Sequence, residues 1–157
     1  MNEKISGNLI IIGGAEDKRG KKEILKKVAE YINTKEDKML IATIATEYPE
    51  KTYDDYKNIF IKLGIKNIDK LDISKREDAF NDKNINLIKT TNLLFFTGGD
   101  QLRITSMIGG TPIYNVIKEL CSNGGVIAGT SAGASVMSDT MIVEGEDDES
   151  PHKCTLK

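Results

Sequence analysis

The residues Gly129-Thr130-Ser131-Ala132-Gly133 follow the short apolar run Val126-Ile127-Ala128. Together they have the form of a strand that turns abruptly into a helix around a serine. Small residues on either side let such a turn lift the hydroxyl to the carboxyl edge of a sheet, while the next backbone N–H faces a developing oxyanion. Acyl transfer is the chemistry a serine so presented can perform. Ser131 is therefore the candidate nucleophile and the Ala132 N–H a candidate oxyanion donor. Close helix–strand packing alone also selects for small residues, so the surroundings decide. Asn123-Gly124-Gly125 reads as a turn before the strand and Ala132 to Ser138 as the start of a helix, which is the strand–turn–helix this chemistry requires.

In an open parallel sheet, sites form beyond the carboxyl ends of the strands, and two further loops lie there. In Thr97-Gly98-Gly99-Asp100-Gln101, the paired glycines would let backbone pass close to a substrate carbonyl and supply a second oxyanion donor. Tight termination of a strand is the other reading of Gly98-Gly99. Gln101 carries both donor and acceptor atoms that could orient a peptide backbone or carboxylate, or else it is an early helical residue facing water. In Gly13-Gly14-Ala15-Glu16-Asp17-Lys18, the third glycine of a dinucleotide loop is absent and acids face the place of a pyrophosphate, which disfavours a nucleotide. Glu16 and Asp17 could shape the crevice instead, although capping or solvation is the simpler role for Asp17.

These loops need elements to hold them. Apolar runs predict strands over Asn8 to Ile12, Met39 to Ala45, Asn67 to Leu71, Asn92 to Phe96 and Val126 to Ala128, with a further one over Met141 to Val143; most are too continuously apolar to be half-exposed and should be central. Between them, Lys21 to Ile32 and Pro49 to Leu63 each place apolar residues on one helical stripe. Pro49 suits a first turn and Gly64 a left-handed cap. A shorter helix around Ile85, Leu87 and Ile88 and one over Thr111 to Leu120 complete the pattern, with Thr111-Pro112 as cap and first residue. The alternation predicts one α/β domain over residues 1–157: a three-layer αβα fold around a mostly parallel, doubly wound sheet. No repeat or linker divides it, and the acidic stretch Glu144 to Ser150 reads as a solvated loop.

Twenty-two lysines and arginines against 24 acidic residues leave a net charge of −2, so no basic field draws the chain to nucleic acid or to an anionic membrane. No apolar run approaches a membrane span of about 20 residues, and the amino terminus lacks a signal-peptide pattern, so the chain is expected to be cytoplasmic. Cys121 and Cys154 have neither metal-ligand nor redox spacing, and Cys121 falls on the apolar side of a helix as a buried thiol. No metal or cofactor is expected.

The three loops, in this order and at these separations, resemble the cyanophycinase family, and the resemblance extends through essentially the whole chain. It implies a serine exopeptidase, on a fold like class I glutamine amidotransferases, that cuts cyanophycin (an arginine-decorated polyaspartate) into β-aspartyl-arginine dipeptides. On that basis Ser131 matches the nucleophile and Gln101 a substrate-binding position, beside the expected oxyanion hole of Ala132, Gly98 and Gly99 and the expected substrate contact Asp100. The wider group includes aspartyl dipeptidases, which makes short aspartyl peptides the alternative substrate. The family's triad histidine and its acidic partner lie in later segments without counterpart in these 157 residues, whose one histidine, His152, has no preceding strand to fix it and reads as a solvated surface residue. The resemblance thus covers the amino-terminal part of such an enzyme. Uncovered sheet surface would then favour a homodimer or pairing with a carboxy-terminal segment. A glutamine amidotransferase would need cysteine where Ser131 stands. A non-catalytic binding module and a flavodoxin-like nucleotide-binding domain are the rivals outside peptidase chemistry.

Overall fold

The computed structural model describes residues 6–144 and 152–155. Five strands build its main sheet: β1 (Asn8–Ile12), β2 (Lys38–Ala42), β3 (Asn67–Leu71), β4 (Leu93–Phe96) and β5 (Val126–Thr130). Their spatial order is β1-β5-β4-β2-β3, and every neighbouring pair is parallel. Parallel neighbours require crossovers, and the intervening helices supply them.

Side chains alternate across a strand, so the apolar runs feed two cores at once. On one face Met39, Ile41, Leu93, Phe95, Val126 and Ala128 pack against α1 (Glu23–Ala29) and α2 (Pro49–Lys62). On the other, Leu40, Ala42, Leu94, Phe96 and Ile127 meet α3 (Asp82–Lys89), α4 (Gln101–Ile108) and α5 (Pro112–Ser122). The result is the expected three-layer α/β fold. Among the described residues no helix is long and apolar enough to cross a membrane.

Several expectations are corrected. Only β5, β4 and β2 are central; β1 and β3 are the sheet's edges. On β1, Leu9 and Ile11 are 48% and 66% exposed. The sixth expected strand is β6 (Thr140–Glu144), which pairs antiparallel with β7 (His152–Thr155) in a separate two-stranded ribbon. His152 thus opens a strand. The expected acidic loop lies, over 145–150, outside the described residues. Thr111 does precede α5, but its hydroxyl donates backward to the Ile108 carbonyl at 2.6 Å and does not cap the helix. Pro112 opens α5 and Gly64 follows α2 at φ 99°, both as expected. α4 and the 3-10 turn over Arg76–Phe80 are additional elements.

Candidate active site

β5 ends at Thr130, and the chain turns at Ser131 into the short helix α6 (Ala132–Ser135). Ser131 adopts φ 52°, ψ −114°, a conformation that costs a non-glycine residue about 1–3 kcal/mol and persists only where the surroundings enforce it. Its N–H donates to the Ile12 carbonyl at 2.9 Å, and its own carbonyl accepts from the Ala134 and Ser135 amides at 2.9 and 3.0 Å. The side chain is exposed while Thr130 and Ala132 on either side are buried.

The flanking glycines are there for space. A Cβ on Gly129 would lie 2.2 Å from the Gly133 carbonyl oxygen, and one on Gly133 2.4 Å from that of Phe96. Helix start and strand ends are therefore in backbone contact, which only glycine permits.

The other two loops meet at this serine. A Cβ on Gly14 would stand 3.2 Å from Ser131 Cβ and 3.6 Å from its Oγ, and one on Gly98 3.4 Å and 3.9 Å from the same atoms. The hydroxyl thus emerges between two loops whose glycines keep it accessible. Gly99, at φ 142°, lies against the Ala45 carbonyl, where a Cβ would come within 2.1 Å. Ala132 is the first residue of α6, and a first-turn N–H has no acceptor within its own helix.

Asp100 is exposed, and its Oδ1 accepts from the Leu102 N–H at 2.8 Å, which makes it the N-cap of α4. Gln101, on the first turn of α4, donates through Nε2 to the Ile142 carbonyl at 3.3 Å and so ties the site's second loop to β6. The backbone of His152 lies opposite Glu144 in the β6–β7 ribbon.

The first loop contributes a feature the sequence reading did not resolve. Glu16 turns inward beneath the elbow, with its side chain 2% exposed. Thr130 Oγ1 donates to Glu16 Oε2 at 2.6 Å, the Tyr56 hydroxyl donates to Oε1, and Lys18 Nζ stands 3.7 Å from Oε1. Burial acts to raise the Glu16 pKa, but the hydroxyl bonds from Thr130 and Tyr56 outweigh it and hold the carboxyl below its ordinary value. Burial, together with the bond to Glu16, pushes the Tyr56 phenol far above its ordinary range. Asp17 faces outward and caps the following turn through the amides of Arg19, Gly20 and Lys22. The signal for this cluster was an acid beside Gly13-Gly14, but its partners lie 40 and 114 residues away, a separation that no local pattern spans.

The model of peptidase family S51 matches residues 9–155. A cyanophycinase from Geminocystis herdmanii (strain PCC 6308) is 33% identical over 157 residues, covering 99% of this chain and 58% of the relative. One from Trichormus variabilis (strain ATCC 29413 / PCC 7937) is 33% identical over 146 residues, covering 92% and 49%. The chain thus spans about half the length of these curated relatives. Among solved structures, a peptidase from an acI-B1 Actinobacterium superposes with a TM-score of 0.69 at 30% identity, over 87% of this chain and 58% of that one. A chain from Listeria monocytogenes EGD-e, with a TM-score of 0.63 at 19% identity, shares the fold.

Proposed function

The chain belongs to peptidase family S51, and from that premise we propose that it carries the nucleophile and oxyanion hole of a cyanophycinase-like serine exopeptidase. Ser131 Oγ attacks the carbonyl carbon of an aspartyl residue while a general base takes the hydroxyl proton. The negative charge that develops on the carbonyl oxygen is held by the Ala132 N–H and an N–H of Gly98 or Gly99. Collapse of the tetrahedral intermediate breaks the C–N bond, the base returns its proton to the leaving amine, and an acyl-enzyme on Ser131 remains for water to hydrolyse. Gln101 and Asp100 orient the substrate from the loop beside the nucleophile. The preferred substrate is cyanophycin, cut to β-aspartyl-arginine dipeptides, and short aspartyl peptides are the alternative. Association through the open edge of β1, with a second copy as occupant, is the partner proposed beside the peptide.

What carries this reading is the position of Ser131: exposed, in a strained turn at the end of β5, and flanked by Gly14 and Gly98. A serine hydroxyl needs a positioned base near neutral pH, and His152 is the one histidine of the 157 residues. A fluorophosphonate probe should label Ser131 in the wild-type protein and leave the Ser131→Ala variant unlabelled. Dipeptide release from insoluble cyanophycin, measured beside hydrolysis of short aspartyl peptides, then separates polymer cleavage from dipeptidase activity. Hydrolysis that survives Ser131→Ala would overturn the assignment.

A further inference from the structure

We propose that Glu16 is a positioning residue for Ser131: its buried carboxylate, bonded by the hydroxyls of Thr130 and Tyr56, clamps the strained turn that presents the nucleophile. The name of the role rests on the reading of Ser131 as nucleophile, whereas the clamp itself is a matter of geometry.

A carboxylate with 2% of its side chain exposed is costly unless each oxygen is satisfied. Here each oxygen receives one hydroxyl, from Thr130 at Oε2 and from Tyr56 at Oε1. Lys18 offsets part of the charge, with its Nζ 3.7 Å from Oε1 and 4.4 Å from the centre of the Tyr56 ring. Tyr56 is itself immobile: it is buried in α2, and its ring packs on Phe95 of β4 with 5.0 Å between centroids. The carboxylate is therefore anchored to the core at one oxygen and grips the last residue of β5 at the other.

Thr130 is covalently joined to Ser131, so fixing its side chain fixes the turn. The Ser131 N–H is held by the Ile12 carbonyl at 2.9 Å, the last residue before the loop that carries Glu16. Both restraints on the elbow thus come from the end of β1 and the loop that follows it, whose Gly14 also lies against the serine side chain. Glu16 holds the strained backbone from beneath, through Thr130, and its side-chain hydrogen bonds go to Thr130 and Tyr56 rather than to the hydroxyl that reacts.

Amide hydrogen exchange, followed residue by residue by NMR in the full chain, tests this without requiring activity. Thr130→Val removes the hydroxyl at nearly constant shape, Thr130→Ser keeps it, and Glu16→Ala removes the acceptor. Losing a bond to a buried charge should speed exchange of the Ser131 amide by about tenfold or more relative to that of Leu40 in β2, in Thr130→Val and in Glu16→Ala. Thr130→Ser should restore the wild-type ratio. Equal acceleration at Ser131 and Leu40 would mean that the cluster only stabilises the domain, and an unchanged Ser131 would mean that it does not hold the turn; either overturns the proposal. Should Glu16→Ala not fold, the two Thr130 variants decide alone. A failure of fluorophosphonate to label Ser131 bears on the nucleophile and leaves the exchange ratio to judge the clamp.

Discussion

A serine at φ 52° is held in place by contacts that its neighbours could make only as glycines. Gly133 lies inside α6, where alanine is ordinarily preferred by about 1 kcal/mol. Here a methyl group would meet the Phe96 carbonyl oxygen at 2.4 Å and Phe96 Cβ at 2.7 Å, and neither can move without shifting β4. Gly133→Ala is therefore expected to destabilise the domain by about 1–3 kcal/mol despite its better helix propensity, as overpacking of a close contact does. Urea denaturation measures it. A neutral or stabilising result would show that helix and strand ends are not in the contact described.

At the scale of the element, the loop between β1 and α1 divides its two acids. Glu16 is drawn beneath the elbow, while Asp17 accepts from the amides of Gly20, Lys22 and Arg19, which bring its pKa down from 3.8 to about 2. A carboxyl whose folded pKa lies below its unfolded value stabilises the fold above the unfolded pKa and loses that contribution as pH falls through the folded one. The loss should therefore run between about pH 4 and pH 2. Asp17→Asn is expected to be less stable than wild type at neutral pH and to lose less over that window, as thermal melts at stepped pH would record. The Asp17 cap was legible because its partners lie within five residues. The elbow was legible for the same reason: a short apolar strand, a serine and small residues are contiguous in the chain. α4 was legible only as the alternative reading of Gln101 as an early helical residue, because its eight residues begin just after the Gly98-Gly99 turn, and a two-turn helix shows too little periodicity to separate it from the loop. Thr111 misled because its hydroxyl bonds back to Ile108, a competing local bond open to any threonine before a helix.

At the largest scale, the described residues form a three-layer sandwich with an open edge at β1. β5 is covered on both faces, but its neighbour β1 leaves large apolar side chains exposed on one of them. Ile10 and Ile12 join the core beneath α1 and α2, while Leu9 and Ile11 stand exposed on the opposite face. Among the described residues, no strand lies beside the outer backbone groups of β1 in the sheet order. An open parallel-sheet edge bearing exposed isoleucine and leucine invites pairing with another strand. Sedimentation velocity is expected to show self-association that rises with concentration. Ile11→Lys should shift the population toward monomer, because a lysine at an edge blocks strand addition. The same substitution should change folding stability by no more than about 0.5 kcal/mol, since an exposed side chain contributes little to the core. That combination separates an edge used for association from a general loss of structure, in which solubility and melting temperature would fall together. Unchanged association in Ile11→Lys would place the contact elsewhere on the surface. The elbow would be unaffected in either case, because Ser131 is bonded to the last residue of β1, Ile12, which is buried while the exposed edge lies upstream of it.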